Sequence, residues 1–299
     1  MNLDTIKYLL SEPGQLVSML GRKGKLNWMP DKMYLQILAK CSLGHRIDFS
    51  DPKTFNEKLQ WIKLYDRDPL YTQLVDKYTV RDYVAEKIGE EHLIPLVGGP
   101  WSTVDEIDFD ALPNEFVLKA SHDSGGVIIC RDKKSFDIEA AKQKLKKRMK
   151  INFYWGGREW PYKNVKPCII AEKYMVDESG KELKDYKILC FNGQPKLVQL
   201  HRGRFSEHTQ DYYDTDWNKL DIIQGCPNSD VFVEKPEFID EMFRLSESLT
   251  TGIPHVRADW YYAENQVYFG ELTFFDSSGF DEFEPVEWNR ILGDWIKLN

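Results

Sequence analysis

Short apolar runs separated by turn-forming residues recur along the chain, and they predict strands. Residues 116–118 and 127–130 are apolar on either side of a loop that contains serine and glycine. The Asn-Gly pair at 192–193 lies between two further apolar runs and is the strongest short signal for a hairpin turn. Two aromatic-rich runs flank residues 263–265, which predicts another hairpin near the C-terminal end.

Apolar residues at helical spacing alternate with these strands. Thr54 begins a capping box, a side-chain arrangement that starts a helix, and an amphipathic segment follows it. Residues 74–88, 138–150 and 237–249 also carry apolar positions at helical spacing, so we expect a helix over each. The first 50 residues or so are helical in character as well. Strands mixed with helices in this order indicate an α/β (α+β) protein.

Composition and charge narrow the class of protein. The chain has 299 residues, of which 42% are hydrophobic and 29% charged, as in a globular protein. Its net charge of −8 argues against nonspecific binding to nucleic acid. No apolar stretch approaches the roughly 20 residues of a membrane span, and charged residues interrupt the N-terminal segment, which is unlike a secretory signal. We therefore expect a cytoplasmic protein.

The cysteines support the same location. Their positions are scattered and form no Cys-x-x-Cys pair, and most lie in apolar segments. The five are Cys41, Cys130, Cys168, Cys190 and Cys226. This pattern favours free thiols in a reducing compartment over disulfides or a zinc site.

The C-terminal hairpin holds one acid in each of its two runs, Asp259 in the first and Glu271 in the second. Adjacent strands bring such acids together if both side chains point to one face. Two close carboxylates repel each other unless a cation lies between them, and Mg²⁺ is usually held by one or two carboxylates together with substrate phosphates. The hairpin therefore suggests a Mg-nucleotide site, although two solvated acids on an ordinary hairpin would give the same pattern.

The loop between the first two strands contains Ser124, Gly125 and Gly126, preceded by Lys119 at the end of a strand. Backbone N–H groups of a glycine loop can close over phosphate oxygens, and a lysine adds a point charge to the same phosphates. Neither the P-loop motif nor the dinucleotide fingerprint is present. A Ser-Gly-Gly sequence is also common in plain hairpin turns.

Taken in order, these segments resemble a known superfamily. The chain begins this series with a strand that contains lysine, a glycine loop and a second strand. There follow a strand with Glu-Lys-Tyr at 172–174, an Asp-x-Lys hairpin at 185–187, Arg-x-Asp at 257–259 and Gly-Glu-x-Thr at 270–273. That order resembles the ATP-grasp fold. More narrowly, the chain is similar to the teichuronopeptide-biosynthesis (TupA-like) branch from about residue 51 to about residue 288. The Thr-Phe-Asn-Glu-Lys-Leu-Gln-Trp segment at 54–61 and residues 256–279 are the most specific parts.

The resemblance implies two α+β subdomains that clasp ATP, preceded by a helical region. On this basis the expected units are a helical N-terminal region over 1–75, a central subdomain with the glycine loop over 76–172, and a C-terminal subdomain with the metal site over 173–299.

The resemblance also implies roles for individual residues. The expected nucleotide contacts are Lys119, Ser124, Gly125, Gly126, Glu172, Lys173, Tyr174 and Lys187. The expected Mg²⁺ ligands are Asp259 and Glu271 with Thr273, although many ATP-grasp enzymes have asparagine where Thr273 stands, so the second metal is open. Arg257, with Lys119, is the expected catalytic cation. The expected acceptor site is Ser277, Ser278 and Gly279.

A basic segment offers another place for an acidic acceptor. Arg202, Arg204 and His208 are three cation-capable side chains within seven residues of sequence, and arginine pairs bidentately with carboxylate or phosphate. The alternative is a surface loop in which these arginines pair with nearby aspartates. The other histidines are isolated in the sequence, and they form no metal-binding motif.

Two further loops leave alternatives open. The first contains Arg22, Lys23 and Lys25 around two glycines. This composition fits a solvated surface loop, and it also fits a contact with an anionic lipid or glycan. Residues 152–163 are aromatic and contain glycine, which fits a mobile substrate lid, a sugar-stacking surface or a buried aromatic plug.

Two functions compete at this stage. The resemblance implies an ATP-dependent carboxylate–amine ligase that acts through an acyl phosphate, with a uronic acid of a surface polysaccharide or its precursor as acceptor and an amino acid or other amine as donor. Members of the branch are often labelled glycosyltransferases, and the Asp-x-Asp at 214–216 has the form that such enzymes use for a metal ion. A non-catalytic nucleotide-binding protein is the third possibility. Either enzyme could associate with the proteins that assemble polysaccharide.

Overall fold

The structure is a computed structural model that describes residues 12–177, 183–202 and 208–298. Helices cluster in the N-terminal third and recur singly afterwards. They are α1 Pro13–Arg22, α2 Asp31–Ser42, α3 Phe55–Tyr65, α4 Leu70–Val75, α5 Val80–Ile88, α6 Ile138–Arg148, α7 Tyr154–Gly157, α8 Ile239–Thr250 and α9 Glu287–Trp295. Short 3-10 turns lie at Glu90–His92, Val104–Glu106, Trp160–Tyr162 and Asp276–Gly279. No helix among the described residues has the length and apolar character needed to cross a bilayer.

The strands form two sheets. They are β1 Leu96–Trp101, β2 Phe116–Ala120, β3 Ile128–Cys130, β4 Ile169–Lys173, β5 Tyr186–Phe191, β6 Gln194–Arg202, β7 Thr209–Asp214, β8 Lys219–Leu220, β9 His255–Ala263 and β10 Gln266–Thr273. The smaller sheet has the order β1-β4-β2-β3 and the larger one β10-β9-β5-β6-β7-β8. Every strand pairing within the two sheets is antiparallel. The α+β class predicted from the sequence is confirmed.

The local signals explain where several elements begin and turn. Thr54 accepts a hydrogen bond from the Glu57 backbone, and the Glu57 side chain accepts one from the Thr54 backbone, so the predicted capping box starts α3. Asn192 and Gly193 both have positive φ, at 50° and 78°, and connect β5 to β6 as predicted. The predicted helices near 138–150 and 237–249 are present as α6 and α8.

One helix prediction is wrong. Instead of one helix over 74–88, the chain forms α4 and α5 with a break between them. The Asp76 carboxylate lies at the break, where it accepts hydrogen bonds from the backbone N–H groups of Tyr78 and Thr79 and from the Ser121 hydroxyl at 2.6 Å. Aspartate competes for backbone donors in this way and so ends helices. The break turns Lys77 towards the site described below.

The main hydrophobic core joins the N-terminal helices to the larger sheet. Phe55, Leu59, Val84, Leu245 and Trp260 are all at most 2% exposed within it. A separate core lies under the smaller sheet and α6, and a third lies between α1 and α2 with the segment up to residue 49. Helices α3 to α5 therefore pack with the C-terminal half of the chain. The domain limits given above stay a prediction.

Candidate active site

The two acids of the C-terminal hairpin lie opposite each other. Glu271 on β10 is the register partner of Asp259 on β9, as the sequence predicted. Glu264 and Asn265 connect the strands with φ values of 52° and 60°. A bulge at Gly270 shifts the register just before Glu271, and a Cβ atom at Gly270 would lie 2.9 Å from the Asp259 carbonyl oxygen. Glycine at this position therefore allows the close approach that aligns the acids.

Asp259 is buried between two cations. Its carboxylate accepts two hydrogen bonds from Arg257, Nε to Oδ1 at 2.7 Å and Nη2 to Oδ2 at 2.9 Å. Lys187, its register partner on β5, also donates to Oδ2. Such a bidentate pair fixes the guanidinium plane as well as its position. In this structure the Asp259 side chain therefore positions Arg257 and Lys187.

Arg257 has further partners that define its role. It donates to Asp276 and, through Nη2, to the Thr273 hydroxyl at 3.3 Å, which in turn donates to Glu271 Oε1 at 3.3 Å. Burial disfavours its charge, but Asp259 and Asp276 outweigh burial and raise the pKa of Arg257 well above its usual value. Thr273 thus links the arginine to Glu271.

Glu271 is the more accessible of the two acids, with 36% of its side chain exposed. Its Oε2 lies 2.9 Å from Lys77 Nζ. Burial opposes ionisation, but Lys77, Lys187 and Arg257 together hold the pKa of Glu271 well below its usual range. Because the carboxylate stays ionised and reachable, Glu271 is the better placed of the two to take a metal ion.

Lys77 connects this acid to the glycine loop. Its ammonium also donates to the Asp123 carbonyl oxygen at 2.9 Å. The Asp123 carboxylate is held by Arg148, which donates to the Ser124 carbonyl at 2.7 Å as well. Ser124 and Gly125 are exposed, and Gly125 has a φ of 83° with open space around it. The loop therefore presents backbone groups to solvent beside Lys77.

The smaller sheet contributes Lys119 and Glu172, which pair at 2.5 Å between β2 and β4. Arg81 from α5 lies 3.8 Å from the same carboxylate. Lys77 is influenced by both groups of charges, because Glu271 and, to a smaller extent, Glu172 raise its pKa against the effect of burial. The structure thus brings the predicted Lys119, Glu172 and Lys187 towards the acids of the hairpin.

Two other predicted nucleotide contacts lie at the end of β4. Lys173 forms an exposed ion pair with Glu264 of the hairpin turn at 2.6 Å. The ring of Tyr174 lies 5.8 Å from the guanidinium of Arg131. These two side chains therefore contact neighbouring surface groups, and their roles towards a nucleotide stay predictions.

The predicted acceptor loop has an unusual backbone. Ser277, Ser278 and Gly279 have φ values of 45°, 56° and 67°, all in the left-handed region. Each left-handed serine costs on the order of 1–3 kcal/mol and persists only where the surroundings impose it. Ser277 is exposed. Gly279 lies so close to α3 that a Cβ atom there would be 3.0 Å from Leu59.

One face of α3 imposes this backbone. Asn56 donates to the carbonyls of Gly279 and Asp281, both at 2.9 Å. Gln60 donates to the carbonyls of Ser278 at 3.1 Å and Gly279 at 3.0 Å. Positions 56, 60 and 63 lie on one face of the helix, and Lys63, described next, contacts the same loop. Helix α3, which contains most of the 54–61 segment, therefore holds the candidate acceptor loop.

Lys63 is the third side chain and is only 1% exposed. Its ammonium donates to the carbonyls of Gly157 at 2.9 Å and Ser278 at 2.7 Å and to the Ser278 hydroxyl at 3.0 Å. That hydroxyl donates to Glu159 at 2.7 Å. Burial lowers the pKa of Lys63 to about 7, with Glu159 opposing, and burial raises the pKa of Glu159. Lys63 joins two loops beside the site.

Much of the aromatic segment 152–163 is packed into the protein. It forms α7 and a 3-10 turn, and Tyr154 and Arg158 are at most 2% exposed. Of the alternatives weighed from sequence, this favours a packed element over a lid. Burial, and then the charges of Glu159 and Glu271, raise the pKa of the Tyr162 hydroxyl well above its usual value.

The three predicted cations near residue 202 have different surroundings. Arg202 pairs with the buried Asp211 at 2.6 Å, which matches the alternative of an arginine held by a nearby aspartate. Arg204 lies outside the described residues. His208 contacts His201 at 2.9 Å, nitrogen to nitrogen, and its other ring nitrogen lies 3.3 Å from Cys226 Sγ. The roles of Arg202 and His208 towards an acceptor stay predictions.

The donor set fits a magnesium ion that arrives with phosphates. Mg²⁺ in phosphate-transferring sites is usually bound by one or two carboxylates together with phosphate oxygens and water. Glu271 offers an ionised, accessible carboxylate opposite Asp259. Across the described parts of the chain, no group of three or more His, Cys, Asp or Glu residues is arranged as a metal cage. All five cysteines are free.

Several residues of the site had no sequence signal that identified them. Lys77 reaches Glu271 across most of the chain, and Asp276 reaches Arg257 from the turn after β10. Both looked like ordinary charged residues in the sequence. A capping box and an amphipathic pattern predicted α3, but they did not indicate the loop that this helix holds. Asp76, which directs the backbone at Lys77, appeared inside a predicted helix.

Comparison with known proteins gives a family and a set of distant structures. The family model described as TupA-like ATP-grasp matches residues 57–297. No curated protein matches the chain. Among solved structures, a D-alanine–D-alanine ligase from Bacillus anthracis complexed with ATP is 13% identical with a TM-score of 0.40; the match covers 68% of this chain and 54% of that one.

Two other structures are similarly distant. A D-alanine–D-alanine ligase from Helicobacter pylori is 13% identical with a TM-score of 0.42, and the match covers 81% of this chain and 69% of that one. An N5-carboxyaminoimidazole synthase from Aspergillus clavatus in complex with ADP is 14% identical with a TM-score of 0.40. The match covers 69% of this chain and 46% of that one. The chain spans about half the length of the Bacillus ligase. At such low identities and TM-scores, the family assignment rests on the family model.

Proposed function

The chain belongs to the TupA-like ATP-grasp family, and from its site we propose that it is an ATP-dependent ligase that joins a carboxylate to an amine. The predicted ATP-grasp fold is thereby confirmed. The observation that carries the proposal is the contact of Lys77 with both Glu271 and the glycine-loop backbone. This contact brings the candidate metal acid and the candidate phosphate loop to one place.

The proposed nucleotide site lies between the charged residues of the smaller sheet and those of the larger sheet. Lys119, Lys77 and the backbone of Ser124 to Gly126 face the phosphates, and Glu172 to Tyr174 border the base. Lys187 adds a cation on the opposite side. Positive charges and backbone donors that are already in place stabilise a transferring phosphoryl group without reorganisation.

The magnesium ion would be held by Glu271, with Asp259 beside it, and would neutralise phosphate charge. Arg257 is held rigidly by Asp259 and Asp276, so its position is set before substrate arrives. In the proposed reaction a substrate carboxylate takes the γ-phosphoryl group of ATP, giving an acyl phosphate and ADP. An amine then displaces phosphate and loses a proton, which leaves an amide.

We place the carboxylate acceptor at the Ser277–Gly279 loop, next to Asp276 and therefore next to Arg257. Exposed Ser277 and the rigid left-handed backbone of the loop support this placement. Following the family resemblance, the acceptor is a uronic acid of a surface polysaccharide or its precursor, and the amine is an amino acid or related compound. Enzymes of polysaccharide assembly are the corresponding partners.

The glycosyltransferase alternative gains no support from its motif. Asp214 uses its carboxylate to close its own turn, accepting from the backbone N–H groups of Asp216 and Asn218 at 3.0 and 2.8 Å. The Asn218 amide donates to its second oxygen at 2.9 Å. An aspartate occupied in this way has a structural role in the turn.

The test is a thermal-shift experiment with ATP, ADP, UDP-glucose and UDP-glucuronate, each with and without Mg²⁺, because a ligand that binds the native state raises the melting temperature. We expect a Mg²⁺-dependent shift with ATP and ADP. In Glu271→Gln this shift and any ADP formation should be lost, since the amide cannot replace an ionised carboxylate.

The matched control is Glu264→Gln, on the same hairpin but in an exposed ion pair with Lys173. It should leave the nucleotide shift close to that of the wild type. A shift with UDP-sugars alone would overturn the ligase proposal. Full ADP formation in Glu271→Gln would remove that residue from the metal site.

A further inference from the structure

An exposed tryptophan lies beside a cluster of cations at the end of α1. Trp28 is 73% exposed, the highest value among the large hydrophobic side chains of the described residues. It belongs to a compact turn after α1, closed by backbone hydrogen bonds from Lys25 to Leu20 at 3.0 Å and from Met29 to Leu26 at 3.1 Å. A single exposed apolar ring is ordinary on a protein surface, so the significance of Trp28 lies in the exposed cations beside it.

The charges of this turn are segregated by sign. Arg22, Lys23 and Lys25 are all exposed. The neighbouring Asp31 does not neutralise them, because it pairs with Arg67 at 3.0 Å and Arg158 at 3.4 Å. The turn is therefore locally cationic on a chain whose net charge is −8.

We propose that the turn formed by Arg22, Lys23, Lys25 and Trp28 docks the protein onto an anionic lipid bilayer. Tryptophan prefers the interface between headgroups and acyl chains, where its ring is buried and its N–H stays hydrated. Lysine and arginine beside it are attracted to anionic headgroups, and each contributes roughly a five-fold gain in affinity near the surface.

The net negative charge of the chain limits which of its surfaces can face an anionic bilayer. An anionic surface repels a protein of net charge −8, so contact has to be made through a locally cationic surface, and this turn is one that also carries an exposed tryptophan. A bilayer accommodates both parts of the turn at once, because its headgroups attract the cations and its interface takes up the tryptophan ring. The turn docks peripherally, and its ring enters no deeper than the interface.

The test is sedimentation of the full chain with vesicles of phosphatidylcholine alone and of phosphatidylcholine with phosphatidylglycerol. We expect binding to the mixed vesicles, weaker binding to the neutral ones, and loss of binding as salt is raised. Lys23→Ala with Lys25→Ala should weaken binding to the mixed vesicles by roughly 25-fold, at five-fold for each cation. Trp28→Ala should weaken binding to both kinds of vesicle.

Phe232→Ala is the matched control. Phe232 is 72% exposed, like Trp28, but its neighbours Asp230 and Glu234 are acidic. This variant should bind vesicles as the wild type does, and unchanged melting temperatures would show that all variants are folded. Absence of vesicle binding, equal losses in Phe232→Ala and Trp28→Ala, or binding to polygalacturonate or duplex DNA in place of vesicles would each overturn the proposal.

Discussion

Replacement of Lys63 by methionine tests whether α3 holds the acceptor loop in its left-handed backbone. Methionine keeps much of the volume of the lysine stem and removes only the donor. Three acceptors then lose a hydrogen bond, namely the Gly157 and Ser278 carbonyls and the Ser278 hydroxyl. The change leaves the other residues of α3 in place, so any effect can be assigned to the ammonium group.

The expected loss of stability follows from the number and strength of these bonds. A net hydrogen bond contributes about 0.5–1.5 kcal/mol, and more when the donor is fully charged. Because burial brings the pKa of Lys63 to about 7, the amine is close to half neutral near neutral pH, and the lower range applies. The charged amine donates three such bonds and the neutral amine only two, so we expect a loss of about 2–3 kcal/mol in the free energy of unfolding.

Urea unfolding at pH 7 measures this loss, with Lys58→Met as the control. Lys58 lies on the same helix and donates a single hydrogen bond, to the Ile296 carbonyl at 2.8 Å. It should cost about 1 kcal/mol or less. Combining Lys63→Met with Glu159→Gln should recover part of the loss, because the double variant no longer buries a carboxyl group whose cation has been removed.

The pH dependence gives a second, independent reading. The folded state lowers the pKa of Lys63, so between about 7 and its usual 10.5 the unfolded chain binds a proton that the folded chain does not. The stability contributed by Lys63 is therefore smallest below pH 7 and rises as pH increases through this window, by about 1.4 kcal/mol per pH unit. The difference in stability between wild type and Lys63→Met should widen from pH 7 to pH 9. A loss under 1 kcal/mol with no such widening would refute the reasoning.

Two further predictions concern the nucleotide site and the larger sheet. Lys77→Met removes the cation that contacts both Glu271 and the glycine loop, so the dissociation constant of Mg-ATP should rise at least about ten-fold in calorimetry, as for the loss of a charge-assisted bond; an unchanged constant would exclude Lys77 from the site. Tyr212→Phe removes a buried hydroxyl that accepts from Gln199 at 2.9 Å and Gln210 at 3.0 Å and donates to Gln224. It should lower the free energy of unfolding by about 2–3 kcal/mol in urea, whereas a loss below 0.5 kcal/mol would mean that water replaces the hydroxyl.

Features set by neighbouring residues could be predicted from the sequence. The approach of Asp259 and Glu271 followed from a short hairpin, whereas their exact pairing depends on the bulge at Gly270, which the sequence did not indicate. The capping box at Thr54 and the Asn192-Gly193 turn are equally local. The broken helix at Asp76 was missed because the helical periodicity of 74–88 continues across a residue whose partner, Ser121, lies 45 residues away.

Pairings across long stretches of chain could not be predicted. Lys77 meets Glu271, and Lys63 meets Ser278 215 residues further on, only because α3 to α5 pack on the larger sheet. Neither lysine differs in type or spacing from a solvated surface lysine. The sequence pattern already pointed to Lys119 and the hairpin acids, which lie on regular strands, and the family resemblance then gave them roles. Neither indicated the cations contributed by the N-terminal helices.

The balance of charge at the site bears on the order in which its ligands can bind. The acids are Glu172, Asp259, Glu271 and Asp276, and the cations are Lys77, Arg81, Lys119, Lys187 and Arg257. Every one of these acids has at least one of the cations within 4 Å, so a free Mg²⁺ ion would have to compete with lysine and arginine for oxygens that are already neutralised. A nucleotide triphosphate changes this balance, because its oxygens can draw Lys77 away from Glu271 and then share the metal ion with that carboxylate. We therefore expect the proposed site to bind the metal and the nucleotide together, and to bind Mg²⁺ alone only weakly.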